Sequence, residues 1–232
     1  MRVLLEPAFV LHTRAYRDTS LLVDLFTMRY GRLTLVARGV RKAKSRLQGL
    51  LVPFLPVLVS FSGKGELCSL QQVEVDGPSF NLKGDLLLSG FYLNELLVKL
   101  LPRRESYFEV YQAYKKTLAN LVDSKSQEIS LRLFENCLLT NLGYGLELNK
   151  TVSGEKVLED GFYNFEFGVG VNRVDAKCVN GFCGKSLLAL HKGELSTNRE
   201  LSDAKRLLRK VFVNLLGNKA LKSREMFYSP SR

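Results

Sequence analysis

Residue types able to do covalent or metal chemistry are few in this chain, and they stand far apart. Cys178 and Cys183 form a C-x4-C pair with His191 as the one imidazole near them, while Cys68 and Cys137 lie on apolar stretches. A structural zinc wants four ligands, usually as two close pairs, and no second pair is nearby. The only histidines, His12 and His191, lie towards opposite ends of the chain, and neither has a Ser/His/Asp or Cys/His setting. Gly63-Lys64-Gly65 lacks the helix that must follow a phosphate loop. Glu95, Glu128 and Glu135 fall in segments that read as packed helices. No catalytic residue, metal or cofactor is expected.

Positive charge is the stronger signal. The chain of 232 residues carries +11 at a sequence pI near 9.6, and the first 80 residues hold +5 of it and the last 42 hold +6. Arg38, Arg41, Lys42, Lys44 and Arg46 place five cations and no anion in nine residues. Lys205, Arg206, Arg209 and Lys210 cluster near the other end, followed by Lys219, Lys222 and Arg224. Uncompensated cations of this kind suit phosphate backbones, whose neutralisation releases counterions. An anionic membrane surface would also want a bulky apolar helix face beside the cations, and the 38–46 run has none. Tyr16, between Arg14 and Arg17, is the best candidate for stacking a base. Phe54 and Phe61 read as core, and Phe227 and Tyr228 follow Arg224.

Such residues need elements to position them. Apolar residues make up 46% and charged residues 25%, as in ordinary globular chains. Ala8–His12, Leu21–Thr27, Arg32–Ala37, Leu51–Phe61 and Glu66–Val75 read as five short strands separated by turn residues. They suit a five-stranded barrel of the oligonucleotide-binding (OB) or SH3-like kind, with the basic loop between the third and fourth strands. Beyond Gly77-Pro78 the pattern turns helical: Asp85–Leu101, Glu105–Leu121 and Gln127–Leu142 predict a three-helix bundle. Residues 151–190, punctuated by glycine, suggest turns or a small hairpin, and Thr197–Leu216 predicts an amphipathic helix with its cations on the outer side. The fold class expected is α+β: an N-terminal barrel of residues 1–80, then a mainly helical region of residues 81–232. That region divides into a bundle (85–145), a small Gly-rich irregular or β element (151–190) and a basic helix (197–217).

The longest apolar run, Leu50–Phe61, has 12 residues and two prolines, too short for a spanning helix. The start of the chain reads as no secretion signal. With its scattered cysteines, the chain is expected to be cytoplasmic, and as a DNA binder nucleoid-associated.

The stretches AFVLHTRAYRDTSLLVDLFT, GRLTLVARGVRKAKSRLQGLLVPFLPVLVSFSGKGEL, GFYLNELLVKLL, LRLFENCLLTNLGYGLEL and AKRLLRKVFVNLLGNKALKSRE resemble the RecO family of bacterial recombination mediators, in order and nearly end to end. The resemblance implies an OB-fold N-terminal domain, binding of single- and double-stranded DNA, and annealing of complementary strands. It also implies docking of the single-strand-binding protein SSB and, with RecR, loading of the recombinase RecA. It points to Arg132 of LRLFE as a clamp for the acidic SSB tail, since an arginine fork suits a carboxylate. The alternative is a pairing of Arg132 with Glu128 or Glu135 along its own helix. Many members carry a four-cysteine zinc element, which Cys178 and Cys183 alone do not supply. The DNA contacts expected are Arg14, Arg17, Arg38, Arg41, Lys42, Lys44, Arg46, Lys205, Arg206, Arg209, Lys222 and Arg224. Two rival readings are a partner-docking adaptor with incidental DNA contact, and a zinc- or thiol-dependent enzyme acting on nucleic acid.

Overall fold

Alternating Val, Leu and Phe in the first 75 residues build five strands, β1 (Arg2–Tyr16), β2 (Ser20–Thr27), β3 (Gly31–Ala37), β4 (Pro56–Ser62) and β5 (Cys68–Val75). The computed structural model describes residues 1–42, 45–65, 67–123, 127–175, 180–217 and 221–223. The strands close in the order β1-β2-β3-β5-β4, with β4 returning to β1 and β3 running parallel to β5. Insertion of β5 between β3 and β4 is the Greek-key closure of the OB barrel, which decides between the two barrels the strand count allowed.

β1 is longer than the sequence suggests. Irregularities between Val3 and Glu6 and between Val10 and His12 bend it, so that its first half pairs with β4 and its second with β2. β4 is shorter than expected. Pro53 has no N–H to give a ladder and Phe54 takes a left-handed φ of 64°, so Leu51–Leu55 is irregular and the strand begins at Pro56. Glu6, fully buried at the first bend, accepts from both the backbone N–H and Nε of Arg29 at 2.7 Å. That pair ties the β2–β3 turn to β1.

Val10, Val23, Leu25, Leu33, Leu35, Val57, Val59 and Phe61 fill the barrel. Two rings outside that cluster, Phe9 and Phe26, are opposite each other in the β1–β2 ladder and are also fully buried. Helices α1 (Asp85–Leu100) and α2 (Phe108–Val122) cover them. The Tyr111 ring lies 5.6 Å from Phe9 and 5.4 Å from Phe26, and Tyr114 packs edge-on to Phe9 at 5.1 Å. The Tyr114 hydroxyl donates to Asn94 Oδ1 (2.6 Å), and Asn94 Nδ2 donates to the Leu11 carbonyl (3.1 Å). Burial pushes both phenols well above the ordinary tyrosine range. Glu95 of α1 accepts from the backbone N–H groups of Lys222 and Ser223 and from the Ser223 hydroxyl, and pairs with Lys99 at 2.9 Å.

Residues up to Val122, with the segment that begins at Leu221, form one compact unit, and Asp123 to Ala220 form another. The three helices expected as one bundle are therefore shared between units, and packing divides the chain at residue 122 rather than near 80. The second unit holds α3 (Gln127–Asn141), a sheet β7-β6-β8 made of β6 (Phe162–Glu166), β7 (Gly170–Val174) and β8 (Phe182–Cys183), and helices α4 (Gly184–Lys192) and α5 (Asn198–Leu216). The hairpin agrees with the glycine-punctuated pattern. Helix α4 does not, because its first residue is a glycine. A Cβ at Gly184 would stand 1.8 Å from the Leu158 carbonyl oxygen, so the residue serves close approach rather than a turn. Thr197 and Glu200 form a capping box at the start of α5.

Gly31 opens β3 at φ 63°, and a Cβ there would stand 1.7 Å from the Glu105 carbonyl oxygen. Gly31→Ala is expected to destabilise the chain by about 3 kcal/mol or more, read as a lowered midpoint in chemical denaturation. Burial raises the Glu95 carboxyl, but hydrogen bonds from Ser223, Lys99 and Lys222 bring it below the ordinary value of 4.5. A carboxyl depressed by folding adds stability that is complete above that value and is lost as the pH falls through its lower folded value. Glu95→Gln should therefore flatten the acid limb of a stability-against-pH curve, and an unaltered limb would refute the assignment.

Candidate nucleic-acid interface

β1 and β2 meet in a tight turn, Arg17–Thr19, in which Arg17 takes a left-handed φ of 50°. The chain leaving β3 folds back against it. Arg41 donates its backbone N–H to the Thr19 carbonyl at 2.9 Å and its Nη1 to the Arg17 carbonyl at 3.3 Å. Val40, fully buried, anchors this loop to the barrel core. Arg38, Arg41 and Lys42 around it are exposed.

A groove of about 620 Å3 results, lined by Tyr16, Arg17, Arg38 and Lys42 above a floor that includes Val36 and Ser69. Val36 and Ser69 are partners in the parallel β3–β5 pairing, so the groove lies directly on the line where the barrel closes. The Arg17 guanidinium lies 5.2 Å from the centre of the Tyr16 ring, within cation–π range. None of Arg14, Arg17, Arg38, Arg41, Lys42 and Arg46 has a carboxylate partner among the described residues. A ring beside unpaired cations in an open groove offers a base a face and a phosphate several donors.

Of the residues expected from sequence, the structure brings Tyr16, Arg17, Arg38 and Lys42 together, with Arg41 alongside. Arg14, on β1, and Arg46, in a 3-10 turn over Arg46–Gly49, are exposed but do not line the groove. Phe61 is in the barrel core, as expected, whereas Phe54 is buried outside that cluster, 5.3 Å from the Phe91 ring of α1. Lys44 and Arg224, with Lys219, Phe227 and Tyr228, lie outside the described residues. Thr19, Ser20, Leu67 and Ser69 also line the groove. Their polar or exposed character gave no signal in sequence, although the turn at Arg17-Asp18 and strand alternation in β3 would have placed Val36 on the outer side.

The second basic cluster is differently disposed. On α5, Ala204, Leu207, Leu208, Val211 and Phe212 are buried and Lys205, Arg206, Arg209 and Lys210 exposed. Lys205 pairs with Glu128 at 3.2 Å and Arg206 with Asp203 at 2.9 Å. Arg206 also lies 4.2 Å from the Phe182 ring centre and donates to the Gly181 carbonyl, while Lys210 donates to the Phe165 carbonyl. Carboxylates thus balance two of the four charges. Lys222 is exposed, its backbone N–H on Glu95.

Arg132 of α3 is buried, and its Nη1 pairs with Glu135 Oε2 at 2.9 Å. Glu128, the other partner its helix offered, goes to Lys205 instead. The Arg132 Nε is buried and has no hydrogen-bond partner among the described residues. Cys183, at the N-cap of α4, directs its thiol to the Glu159 carbonyl at 3.6 Å, and Cys178 lies outside the described residues. Among the described residues, no three His, Cys, Asp or Glu side chains gather as a metal site, and no helix is long and apolar enough to cross a membrane.

Comparison with known proteins divides the chain in sequence. A family model described as Recombination protein O N terminal matches residues 1–78, and one described as Recombination protein O C terminal matches residues 82–225. The chain is 43% identical over 227 residues to the DNA repair protein RecO of Nitrosococcus oceani, covering 97% of this chain and 92% of that one. Its counterpart of the same name in Cellvibrio japonicus is 44% identical over 230 residues, 98% of each chain. The one in Methylococcus capsulatus is 41% identical over 233 residues, 99% of this chain and 95% of that one.

Proposed function

The chain belongs to the RecO family of DNA repair proteins, and on that premise we propose that it is a non-enzymatic mediator that binds single strands at the barrel groove and anneals complementary ones. The observation that carries this is the meeting of Tyr16 with Arg17, Arg38 and Lys42 around an open groove, with no carboxylate partner on those cations among the described residues. Two strands approaching each other repel through their phosphates, and cations set between them lower that repulsion. Pairing then proceeds through the bases. No bond is made or broken, so the work needs neither nucleophile nor metal.

SSB-coated single strands are the proposed substrate, with RecR as the partner for RecA loading. Double-stranded DNA would engage the same cations through its backbone. In this reading Arg132 receives the SSB tail carboxylate, and the fit of a guanidinium fork to a carboxylate supports that role. The pairing with Glu135 supports a structural one instead. Removing one member alone leaves a buried charge uncompensated. The informative variant is therefore Arg132→Met with Glu135→Met, tested for tail-peptide binding after its folding is verified. Lost binding supports the clamp, and unchanged binding leaves Arg132 as a helix-internal pair.

Binding to bare oligonucleotides, without any partner, is the central experiment. Arg38→Ala with Lys42→Ala should weaken binding across all sequences and flatten the dependence of log K on log salt by about 1.4, about 0.7 for each lost single-strand phosphate contact. Tyr16→Ala should cost about 1–3 kcal/mol of affinity with the salt dependence kept, since stacking releases no counterion. Unchanged affinity and slope in the first variant would remove the groove from the function and favour an adaptor that meets DNA through its partners.

A further inference from the structure

The cations assigned to the groove lie on the turn that follows β1 or on the loop after β3. Arg103 and Arg104, in the connection between α1 and α2, belong to neither. Arg103 lies directly opposite Arg32 in a parallel bridge to β3. Arg104 donates its backbone N–H to the Arg32 carbonyl at 3.0 Å and its Nη2 to the Gly65 carbonyl, and that guanidinium also meets Cys68 Sγ at 3.6 Å. Arg104 has a left-handed φ of 60°, uncommon outside glycine, held between these two attachments. The connector thus continues β3's edge where β5 leaves off, since β5 pairs with β3 only at Leu35 and Val36.

Its placement bears on the groove. Leu67 and Ser69, which line the groove, flank the Cys68 that Arg104 touches. Arg32, Thr34 and Val36 share the outer side of β3, because Leu33, Leu35 and Ala37 point into the core. Val36 lines the groove, and Arg32 is about 13 Å along the same strand face at about 3.3 Å per residue. Parallel neighbours about 4.8 Å apart then put Arg103 beside it.

We infer that the connector carries a second phosphate-contact element, in which exposed Arg103, backed by Arg32 and placed by Arg104 beyond the end of the groove, receives a single strand as it leaves the groove past Leu67 and Ser69. The local electrostatics agree. Arg32 gives its Nε to the Leu101 carbonyl at 3.0 Å. Its guanidinium is held below the ordinary arginine range first by burial and then by the like charge of Arg103, against the opposing pull of Asp24. Asp24 is itself engaged by the Thr34 hydroxyl, and the Glu105 carboxylate by the Tyr107 hydroxyl. Arg103 and Arg104 are exposed and without a carboxylate partner among the described residues. An incoming phosphate would relieve the repulsion between Arg103 and Arg32 that the fold leaves standing.

The inference rests on the groove reading, and strand length separates the two. Fluorescence anisotropy with oligothymidylates of about 5 and about 16 nucleotides spans the range that one OB barrel covers. Each is titrated at several salt concentrations with the wild-type chain, Arg103→Ala, Arg103→Gln and Arg38→Ala. Arg103→Ala should weaken binding of the longer strand roughly fivefold and lower its salt slope by about 0.7, leaving the shorter strand unchanged. Arg103→Gln should do the same while keeping the aliphatic stem, and Arg38→Ala should weaken both lengths. Loss in Arg38→Ala with no loss of long-strand affinity or slope in either Arg103 variant would overturn the inference and leave the groove reading intact. Equal loss on both lengths would also overturn it, by placing Arg103 within the groove. A wild-type chain that binds neither length in dilute buffer would remove both.

Discussion

Two rungs of parallel pairing, Leu35 with Cys68 and Val36 with Ser69, join β3 to β5 and so turn a curved sheet into a barrel. Every other neighbouring pair of strands in the barrel shares a longer antiparallel ladder. Parallel pairing is slightly the less stable per residue, so this seam leans on what lies beneath and beside it. Beneath are Leu35 and Cys68, both buried in the barrel core. Beside it, the α1–α2 connector prolongs the β3 edge from Arg32, and the bare α-carbon of Gly31 lets Glu105 approach. The groove opens on the seam itself, so the barrel's shortest strand pairing and this polar recess are one place.

Cations around that recess stay in water, where solvent and salt screen their mutual repulsion to a modest cost. Keeping them unpaired leaves their donors to whatever anion arrives. Helix α5 follows another logic. Arg206 covers Phe182 and caps the Gly181 carbonyl, and Lys210 caps that of Phe165, so these side chains hold the small sheet against the helix while still showing positive charge. Two basic segments that look alike in composition thus differ in how much of their charge is at liberty.

Much of this was legible in the sequence because period-two alternation and turn residues report directly on a half-buried strand. Four of the five α-helices among the described residues, all but α4, follow from apolar spacing with Pro102, Gly143 and Thr197 as punctuation. Legibility failed where one residue serves tertiary contact instead of local conformation. Gly184 reads as a breaker but begins a helix, since it makes room for a carbonyl. Phe54 reads as strand but turns left-handed. Arg103 and Arg104 follow a helix stop and look like ordinary loop polarity, since nothing local reveals that their backbone will join a sheet edge. For Arg132 the spacing allowed two partners along the helix, and only coordinates show that Glu135 takes it while Glu128 reaches Lys205.

Helices α1 and α2 cover Phe9 and Phe26 on the barrel's outer side, and this bears on dissection of the molecule. A fragment trimmed after residue 80, near the boundary that the two family models share, would retain Phe80 beside Phe9 but lose Tyr111 and Tyr114 from both rings, and the apolar surface so bared invites self-association. A cut after Val122 retains the two tyrosines but takes away buried Leu221 and the groups that Lys222 and Ser223 give Glu95. The compact unit built on the barrel thus reaches well past its last strand, to Val122, and takes in the segment from Leu221.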